Sequence, residues 1–215
     1  MTILREDTRP TVVDSFDIRK GISQAVVLDA ARQAARARAA GTVSASRATV
    51  PYDGGWMRIM VAVVPALDVV GYKEFHLSTG NVVRYAVHVF RLSDGKPLGV
   101  VDGALTTPLR TAAAAAIATE EFFDAGTPLL IGVVGSGTEA MAGLTAISEL
   151  LPLVDVRVTS RNADNREKFA RQVTERFGAP ATAVATVAEA ADGRDMVYLA
   201  TNSGGAVVAT AGDLA

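Results

Sequence analysis

A glycine-rich loop carries the clearest chemical signal in the sequence. Residues 128–134 form a short apolar run, and the pattern G-x-G-x-x-A follows at Gly135, Gly137 and Ala140, before a stretch of small residues. The first glycine allows a tight turn, the second lets the backbone approach a pyrophosphate, and the small third residue lets a helix pack closely on a strand. The pyrophosphate would bind at the amides of the new helix. The alternative is a glycine turn in an ordinary α/β unit. The predicted dinucleotide-binding residues here are Gly135, Ser136, Gly137, Thr138, Glu139 and Ala140.

The end of the next predicted strand bears on the choice of cofactor. That strand covers residues 153–159 and is followed by Ser160, Arg161 and Asn162, with no acidic residue at its tip. An acid there would bind the ribose 2′-hydroxyl of NAD, whereas a basic residue would bind the 2′-phosphate of NADP. Because a guanidinium forms paired charge-assisted hydrogen bonds with phosphate, the tip favours NADP(H) over NAD(H). The alternative is that Arg161 is a surface residue without a ligand.

The elements around these residues alternate between strand and helix. Three strands, three helices and one short apolar run near 182–184 are predicted after the glycine at 126; the strands are 129–134, 153–159 and 196–200, and the helices are 138–151, 163–177 and 187–191. Such alternation is typical of a parallel sheet with crossover helices. We therefore predict a parallel α/β domain over residues 127–215, with the boundary near Gly126.

Residues 1–126 show a different pattern. Apolar or alternating runs predict strands, and turn residues separate them. The predicted strands are 57–64, 83–89 and 98–102, and the predicted turns are 78–81 and 93–97. This part of the chain is predicted to be an antiparallel sheet.

The first part of the chain also contains two predicted helices. One covers residues 22–40; the other has Thr107 as its N-cap, Pro108 in its first turn, and an end near Phe123. Residues 1–20 and 41–55 are predicted to be irregular. The first part of the chain is therefore an α+β domain.

Composition excludes several function classes. The chain has 215 residues, is 49% hydrophobic, and carries a net charge of −2, so neither nucleic acid nor a membrane surface is expected as a partner. No cysteine is present, which favours a reducing cytoplasm, and the N-terminus has no signal-peptide pattern. No uncharged run approaches the ~20 residues that span a bilayer. The two histidines, His76 beside a turn and His88 facing out of a strand, give no metal-ligand spacing, so no metal site is predicted.

Five segments in order resemble the ornithine cyclodeaminase/mu-crystallin family. They are residues 71–73 (GYK), 94–102 (DGKPLGVVD), 105–114 (LTTPLRTAAA), the glycine loop, and Ser160 with Arg161. The similarity runs from about residue 22 to the last residue. The LRTAA segment, placed one strand before a G-x-G-x-x-A loop, is much more specific than the loop alone.

The resemblance implies a two-domain fold. An α+β substrate-binding and dimerisation domain, residues 1–126, would precede a partial Rossmann-type domain, residues 127–215, with the active site in the cleft between them. Members include cyclodeaminases, an alanine dehydrogenase, ketimine reductases and opine-forming dehydrogenases. All bind a nicotinamide cofactor and move hydride at the carbon that carries an amino or imino nitrogen. A homodimer is therefore expected.

The resemblance also assigns roles to individual residues. It places Arg47, Lys73 and Arg110 on the carboxylate of a small amino or imino acid, with Lys73 in the catalytic set. Cations suit this role because the carboxylate must be held while the substrate carbon meets the nicotinamide; the alternative for each is an ordinary surface ion pair. Thr111 would contact cofactor or substrate. The segment expected beside the cofactor comprises Ala200, Thr201 and Asn202.

The sequence stops before the family's catalytic aspartate and its remaining Rossmann strands, and Asp213 lies in an expected short helix rather than at that position. Three hypotheses cover this difference: a truncated product of a longer enzyme, a natural short homologue, or a chain completed by a partner. The favoured activity is that of an imine reductase or amino-acid dehydrogenase. The alternatives are an ornithine or lysine cyclodeaminase with recycled NAD, and a non-catalytic NADPH- or ligand-binding protein of mu-crystallin type.

Overall fold

The computed structural model describes residues 9–78, 82–203 and 205–214. The chain divides into two compact units, Met1–Thr107 and Pro108–Ala215. The division falls within a helix, whereas the sequence places the domain boundary near Gly126, which stays a prediction. The predicted turn at 78–81 lies outside the described residues except for Ser78.

The first unit contains a six-stranded sheet in the order β1-β6-β5-β4-β3-β2. Strand β1 pairs with β6 in parallel, and every other neighbouring pair is antiparallel. The strands are β1 (Thr11–Val13), β2 (Ser44–Tyr52), β3 (Gly55–Val64), β4 (Val69–Leu77), β5 (Val83–Arg91) and β6 (Pro97–Asp102). The three strands predicted for this part of the chain are confirmed.

Two segments predicted to be irregular form regular structure. Residues 41–55 contain β2, which pairs with β3 from Ser44 opposite Val63 to Tyr52 opposite Gly55. Its residues are all exposed, so this strand lacks the apolar alternation that marks half-buried strands. Residues 1–20 contain β1 and helix α1 (Ser15–Gly21), whose Asp14 and Asp17 form a capping box. The predictions of irregular structure were wrong for these elements, and residues 1–8 lie outside the described residues.

Helix α2 (Gln24–Ala39) confirms the helix predicted over 22–40, and Ser23 caps its first turn. Helix α3 (Gly103–Thr119) begins earlier than predicted. Its start is fixed by Asp102, whose Oδ1 accepts a hydrogen bond from the amide of Ala104 at 2.7 Å. Thr107 is therefore not the N-cap, and Pro108 lies inside the helix.

The second unit contains a parallel four-stranded sheet in the order β10-β7-β8-β9. Its elements are β7 (Leu129–Val134), α4 (Thr138–Ser148), β8 (Leu153–Thr159), α5 (Ala163–Phe177), β9 (Ala181–Ala183), α6 (Val187–Ala191), β10 (Met196–Leu199) and a 3₁₀ turn (Ala211–Asp213). These elements confirm the predicted alternation of strand and helix. The sheet core is apolar, since Leu129, Ile131, Val133, Val156 and Val158 are fully buried. Among the described residues, no helix combines the length and the apolar character that a bilayer crossing requires.

Candidate functional site

The glycine loop joins β7 to α4 through an unusual backbone turn. Gly135 has φ +125°, and a Cβ at this position would collide with the carbonyl of Ala200. Gly137 has an extended backbone, and a Cβ there would meet no atom within 4 Å. Ala140 is fully buried. The first glycine is therefore required by the fold, whereas the second keeps space open beside the loop.

The start of α4 suits an anion. Its N-cap is Gly137, and no side chain in the described part of the chain caps the first-turn amides. By contrast, Asn162 caps α5 through the amide of Asn165, and Thr186 caps α6 through that of Glu189. Uncapped amides and the helix dipole together favour a phosphate group at this place. The loop therefore fits the pyrophosphate of a dinucleotide.

The tip of β8 is hydrogen-bonded to the glycine loop. The hydroxyl of Ser136 donates to the hydroxyl of Ser160 at 2.9 Å, and Ser160 in turn donates to the carbonyl of Asn162 at 3.2 Å. The guanidinium of Arg161 donates to the carbonyl of Asn202 at 3.3 Å. Hydrogen bonds therefore join the glycine loop and Asn202 to the tip of β8. Thr111 lies in α3, and its role stays a prediction.

A cavity of about 410 Å³ opens beside these residues. This volume lies in the range of small-molecule sites. Four predicted cofactor residues line the cavity: Ser160, Arg161, Thr201 and Asn202. The remaining lining residues are Val134, Thr159, Ala185, Thr186, Val187, Ser203, Ala206, Val207 and Val208. The cavity thus has an apolar side and a polar side at the strand tip.

Sequence reasoning missed two contributors to this site. Arg166 donates from Nη1 to the carbonyl of Ser160 at 3.0 Å and so holds the backbone that follows β8. It follows the N-cap Asn162 by four residues, a spacing that returns a helical side chain toward the helix start. Thr186, the N-cap of the helix predicted over 187–191, lines the cavity and forms a capping box with Glu189, a signal that marks this position in the sequence.

Glu139 and Tyr198 form a second polar group on the α4 side of the sheet. Burial raises the pKa of Tyr198, and the negative charge of Glu139 raises it further. The Oε2 atom of Glu139 is buried and has no hydrogen-bond partner within the described ranges. The phenol therefore keeps its proton to a higher pH than an exposed tyrosine does.

The first unit places two of the predicted cations on one face of its sheet. Arg47 and Lys73 both pair with Met60, which lies between them on β3. Directly paired residues share a face, so both side chains leave the sheet on the same side. The Nζ of Lys73 donates to Thr107 Oγ1 at 2.8 Å and lies 4.6 Å and 4.8 Å from the ring centroids of Phe75 and Tyr85. The Lys73 ammonium is thus held in place by several groups.

Arg110 lies in α3, and its side chain is exposed, whereas the following Ala112 and Ala113 are buried. The grouping of Arg110 with Arg47 and Lys73 stays a prediction. The roles of all three residues in substrate binding are likewise predictions.

His88 lies on the face of the sheet opposite Lys73, and its side chain is 23% exposed, so the predicted outward orientation stays a prediction. Its ring stacks on Tyr72 at a centroid distance of 4.6 Å, and its Nε2 atom is buried, 3.6 Å from Glu74 Oε1. Within residues 9–78, 82–203 and 205–214, no three His, Asp or Glu side chains come together as a metal site would require.

The chain is similar to known proteins over most of its length. The model of the ornithine cyclodeaminase/mu-crystallin family matches residues 10–212. The ketimine reductase mu-crystallin of Mus musculus is 31% identical over 169 residues, which cover 75% of this chain and 52% of that protein. A Δ(1)-pyrroline-2-carboxylate reductase of Bacillus cereus is 25% identical over 170 residues, with the same coverage of both chains.

Solved structures share the fold. The Thermococcus litoralis Δ(1)-pyrroline-2-carboxylate reductase, in complex with NADH and L-proline, aligns with a TM-score of 0.79 and 22% identity over 89% of this chain and 62% of that one. The chain spans about half the length of the curated relatives it matches. Since the family model covers nearly the whole sequence, the chain belongs to the ornithine cyclodeaminase/mu-crystallin family.

Proposed function

We propose that the protein is an NAD(P)-dependent oxidoreductase that transfers hydride at the amine or imine carbon of a small amino or imino acid. NADP(H) is the favoured cofactor. The observation that carries the proposal is the junction of the glycine loop with the tip of β8, where Ser136 and Ser160 are hydrogen-bonded and Arg161 lines the adjacent cavity. The names of the reductase relatives support the reaction class.

The residues of the second unit would hold the dinucleotide in two places. The amides at the start of α4 and the open space beside Gly137 would accept the pyrophosphate. Ser160 and Arg161 would bind the 2′-phosphate, because a guanidinium and a hydroxyl are donors and no carboxylate stands at the strand tip. When bound, the cofactor supplies or accepts the hydride at its nicotinamide ring.

The residues of the first unit would hold the substrate. The ammonium of Lys73 is fixed by Thr107 and two aromatic rings, so binding a carboxylate costs little further ordering of this side chain. Arg47 would add a second donor on the same face, and Arg110, which belongs to the second unit, would add a third. These cations would orient the substrate carbon for hydride transfer.

The activity test follows NADPH at 340 nm with the full chain and two kinds of imine: one formed from pyruvate and methylamine, and the cyclic imine Δ(1)-pyrroline-2-carboxylate. We expect NADPH oxidation with at least one of them, and Lys73→Gln should raise the KM with little change in NADPH affinity. Ammonia release from ornithine without net change of NAD would instead indicate the cyclodeaminase activity. Tight NADPH binding without turnover on any substrate would indicate a binding protein.

We further propose that two copies of the chain pair through the sheet of the first unit. Val50, Ile59 and Val61 lie on the face opposite Lys73 and are 62%, 36% and 40% exposed. Exposed neighbouring apolar side chains are unfavourable in water and mark interaction surfaces. A homodimer would cover this face.

A further inference from the structure

A second cation lies beside Lys73 on the same face of the sheet. Arg58 of β3 pairs with Phe75 of β4, and Phe75 pairs with Tyr85 of β5. Because Phe75 is two residues from Lys73 along β4, all four side chains leave the same face. Arg58 therefore shares a surface with the residue proposed to hold the substrate carboxylate.

Aromatic rings lie beside both cations and limit the distance between them. The Cζ of Arg58 lies 5.2 Å from the ring centroid of Trp56 and 5.5 Å from that of Phe75. The Nζ of Lys73 lies 4.6 Å from the same Phe75 centroid. The distance between Arg58 Cζ and Lys73 Nζ therefore cannot exceed the sum of their distances to this centroid. Trp56 and Phe75 pack edge to face at 5.3 Å. The surface thus consists of two cations held by three aromatic residues, Trp56, Phe75 and Tyr85.

Arg58 is positioned by a neutral group. Its Nε donates to Thr49 Oγ1 at 2.9 Å, which uses one of the five N–H groups of the guanidinium. In the part of the chain that the structure describes, no carboxylate lies within ion-pair distance of Arg58. The terminal amino groups of the guanidinium can therefore bind an external anion.

The charge pattern on the Lys73 face of the sheet also favours the binding of an anion. At the described strand positions of this face, the cations are Arg47, Arg58, Lys73 and Arg91, and there is no Asp or Glu. Arg91 is neutralised by Asp94 at 2.9 Å. The acidic strand residues Glu74 and Asp102 lie on the opposite face. Like charges repel, so an anion that contacts more than one of these cations lowers the electrostatic energy of the face.

We propose that Arg58 binds a second carboxylate, so that the substrate is an amino or imino acid with an acidic side chain. This inference rests on the proposed function, in which Lys73 holds the first carboxylate. The carboxyl carbons of a four-carbon diacid are roughly 4 Å apart. Two charge-assisted hydrogen bonds of about 2.8 Å extend this reach enough to join Lys73 and Arg58. A basic side chain, such as that of ornithine, would be repelled by Arg58.

Trp56 provides the readout, because it is the single tryptophan of the chain and its ring contacts Arg58. The full chain is titrated, with and without NADP⁺, with L-malate and L-lactate as unreactive four-carbon and three-carbon analogues. We expect L-malate to bind about 10- to 100-fold more tightly than L-lactate, the range of one added charge-assisted hydrogen bond. Equal affinities would overturn the role of Arg58.

Three variants separate this inference from the proposed function. Arg58→Gln should remove the preference for L-malate and change L-lactate affinity less than about threefold, whereas Arg58→Lys should keep part of the preference. Lys73→Gln should weaken both ligands. Arg84→Gln, on the opposite face, is the matched control for charge and should change neither. If Lys73→Gln weakens both ligands but Arg58→Gln leaves the preference intact, only the inference fails. If neither ligand perturbs Trp56, the substrate site itself is wrong and the inference falls with it.

Discussion

The hydroxyl groups of Ser136 and Ser160 lie 2.9 Å apart, so the glycine loop after β7 and the tip of β8 form one continuous polar surface. The amide of Gly135 also donates to the carbonyl of Thr159 at 2.8 Å, which fixes the loop against the strand. A ligand that carries a pyrophosphate and a separate phosphate, as NADP(H) does, can therefore bind the helix start with the pyrophosphate and the strand tip with the other phosphate. This relationship is the structural basis for the proposed preference for NADP(H).

Arg161→Ala tests the strand tip. We expect NADPH affinity to fall about 10- to 100-fold, because one charged hydrogen-bonding group is lost from the 2′-phosphate, while NADH affinity changes less than about threefold. Calorimetric titration of both nucleotides measures this. Arg171→Ala, which removes an exposed arginine from helix α5, the helix that follows Arg161, is the control and should change neither affinity. An equal loss for NADPH and NADH would show that Arg161 does not read the 2′-phosphate.

The two glycines of the loop should respond differently to alanine. Gly135→Ala places a methyl group against the Ala200 carbonyl in a backbone region that alanine avoids, so stability should fall by about 1–3 kcal/mol or more. Gly137→Ala meets no neighbour and should cost less than about 1 kcal/mol, yet weaken NADPH binding at least about 10-fold because the methyl fills the phosphate space. Thermal unfolding and nucleotide titration separate the two effects. Unchanged NADPH affinity in Gly137→Ala would contradict the placement of the pyrophosphate.

Ile59→Lys tests the homodimer. A lysine at the centre of the exposed apolar face should raise the dissociation constant of the dimer at least about 10-fold, because its charge would be removed from water on association. Light scattering coupled to size-exclusion chromatography measures the mass. Val154→Lys, at an exposed apolar position of the second unit, is the control and should leave the dimer intact. A wild-type chain that is monomeric at all concentrations would refute the proposal.

Tyr198 should make the stability of the folded chain depend on pH in alkaline solution. Burial, reinforced by Glu139, raises the pKa of Tyr198, so the folded chain holds this proton more tightly than the unfolded chain, which loses it near pH 10. The resulting stability is fully present below about pH 10 and is lost as the pH rises through the folded pKa. Tyr198→Phe should therefore flatten the decline of the melting temperature between about pH 9.5 and 11. Glu139→Gln should flatten it partly; an unchanged slope in both variants would contradict the assigned causes.

The second unit could be predicted closely from the sequence because its elements leave strong patterns. Its central strands are continuous apolar runs that become fully buried, as at Ile131 and Val156, and its helices begin at cap residues such as Asn162. The glycine loop and the strand tip come together because both follow the carboxyl ends of neighbouring parallel strands. That edge of a parallel sheet is where ligands bind in such folds.

The first unit was harder to predict, for identifiable physical reasons. Strand β2 is exposed along its whole length and is held by backbone pairing with β3, so its composition gives no alternation. The start of α3 is set by the carboxylate of Asp102, whereas Pro108 in the sequence suggested a later start. The alternation in β5 predicts the strand, but it does not predict that His88 stacks on Tyr72 of the neighbouring strand. The cation and aromatic cluster around Arg58 depends on pairing across strands, which no local pattern encodes.

The most direct test of the account is a titration of the wild-type chain with NADPH and with NADH under identical buffer conditions. In the proposed mode both nucleotides would bind the glycine loop, but only NADPH carries the 2′-phosphate that Ser160 and Arg161 would hold. We expect NADPH to bind at least about 10-fold more tightly than NADH. Binding of neither nucleotide, or tighter binding of NADH, would contradict the account.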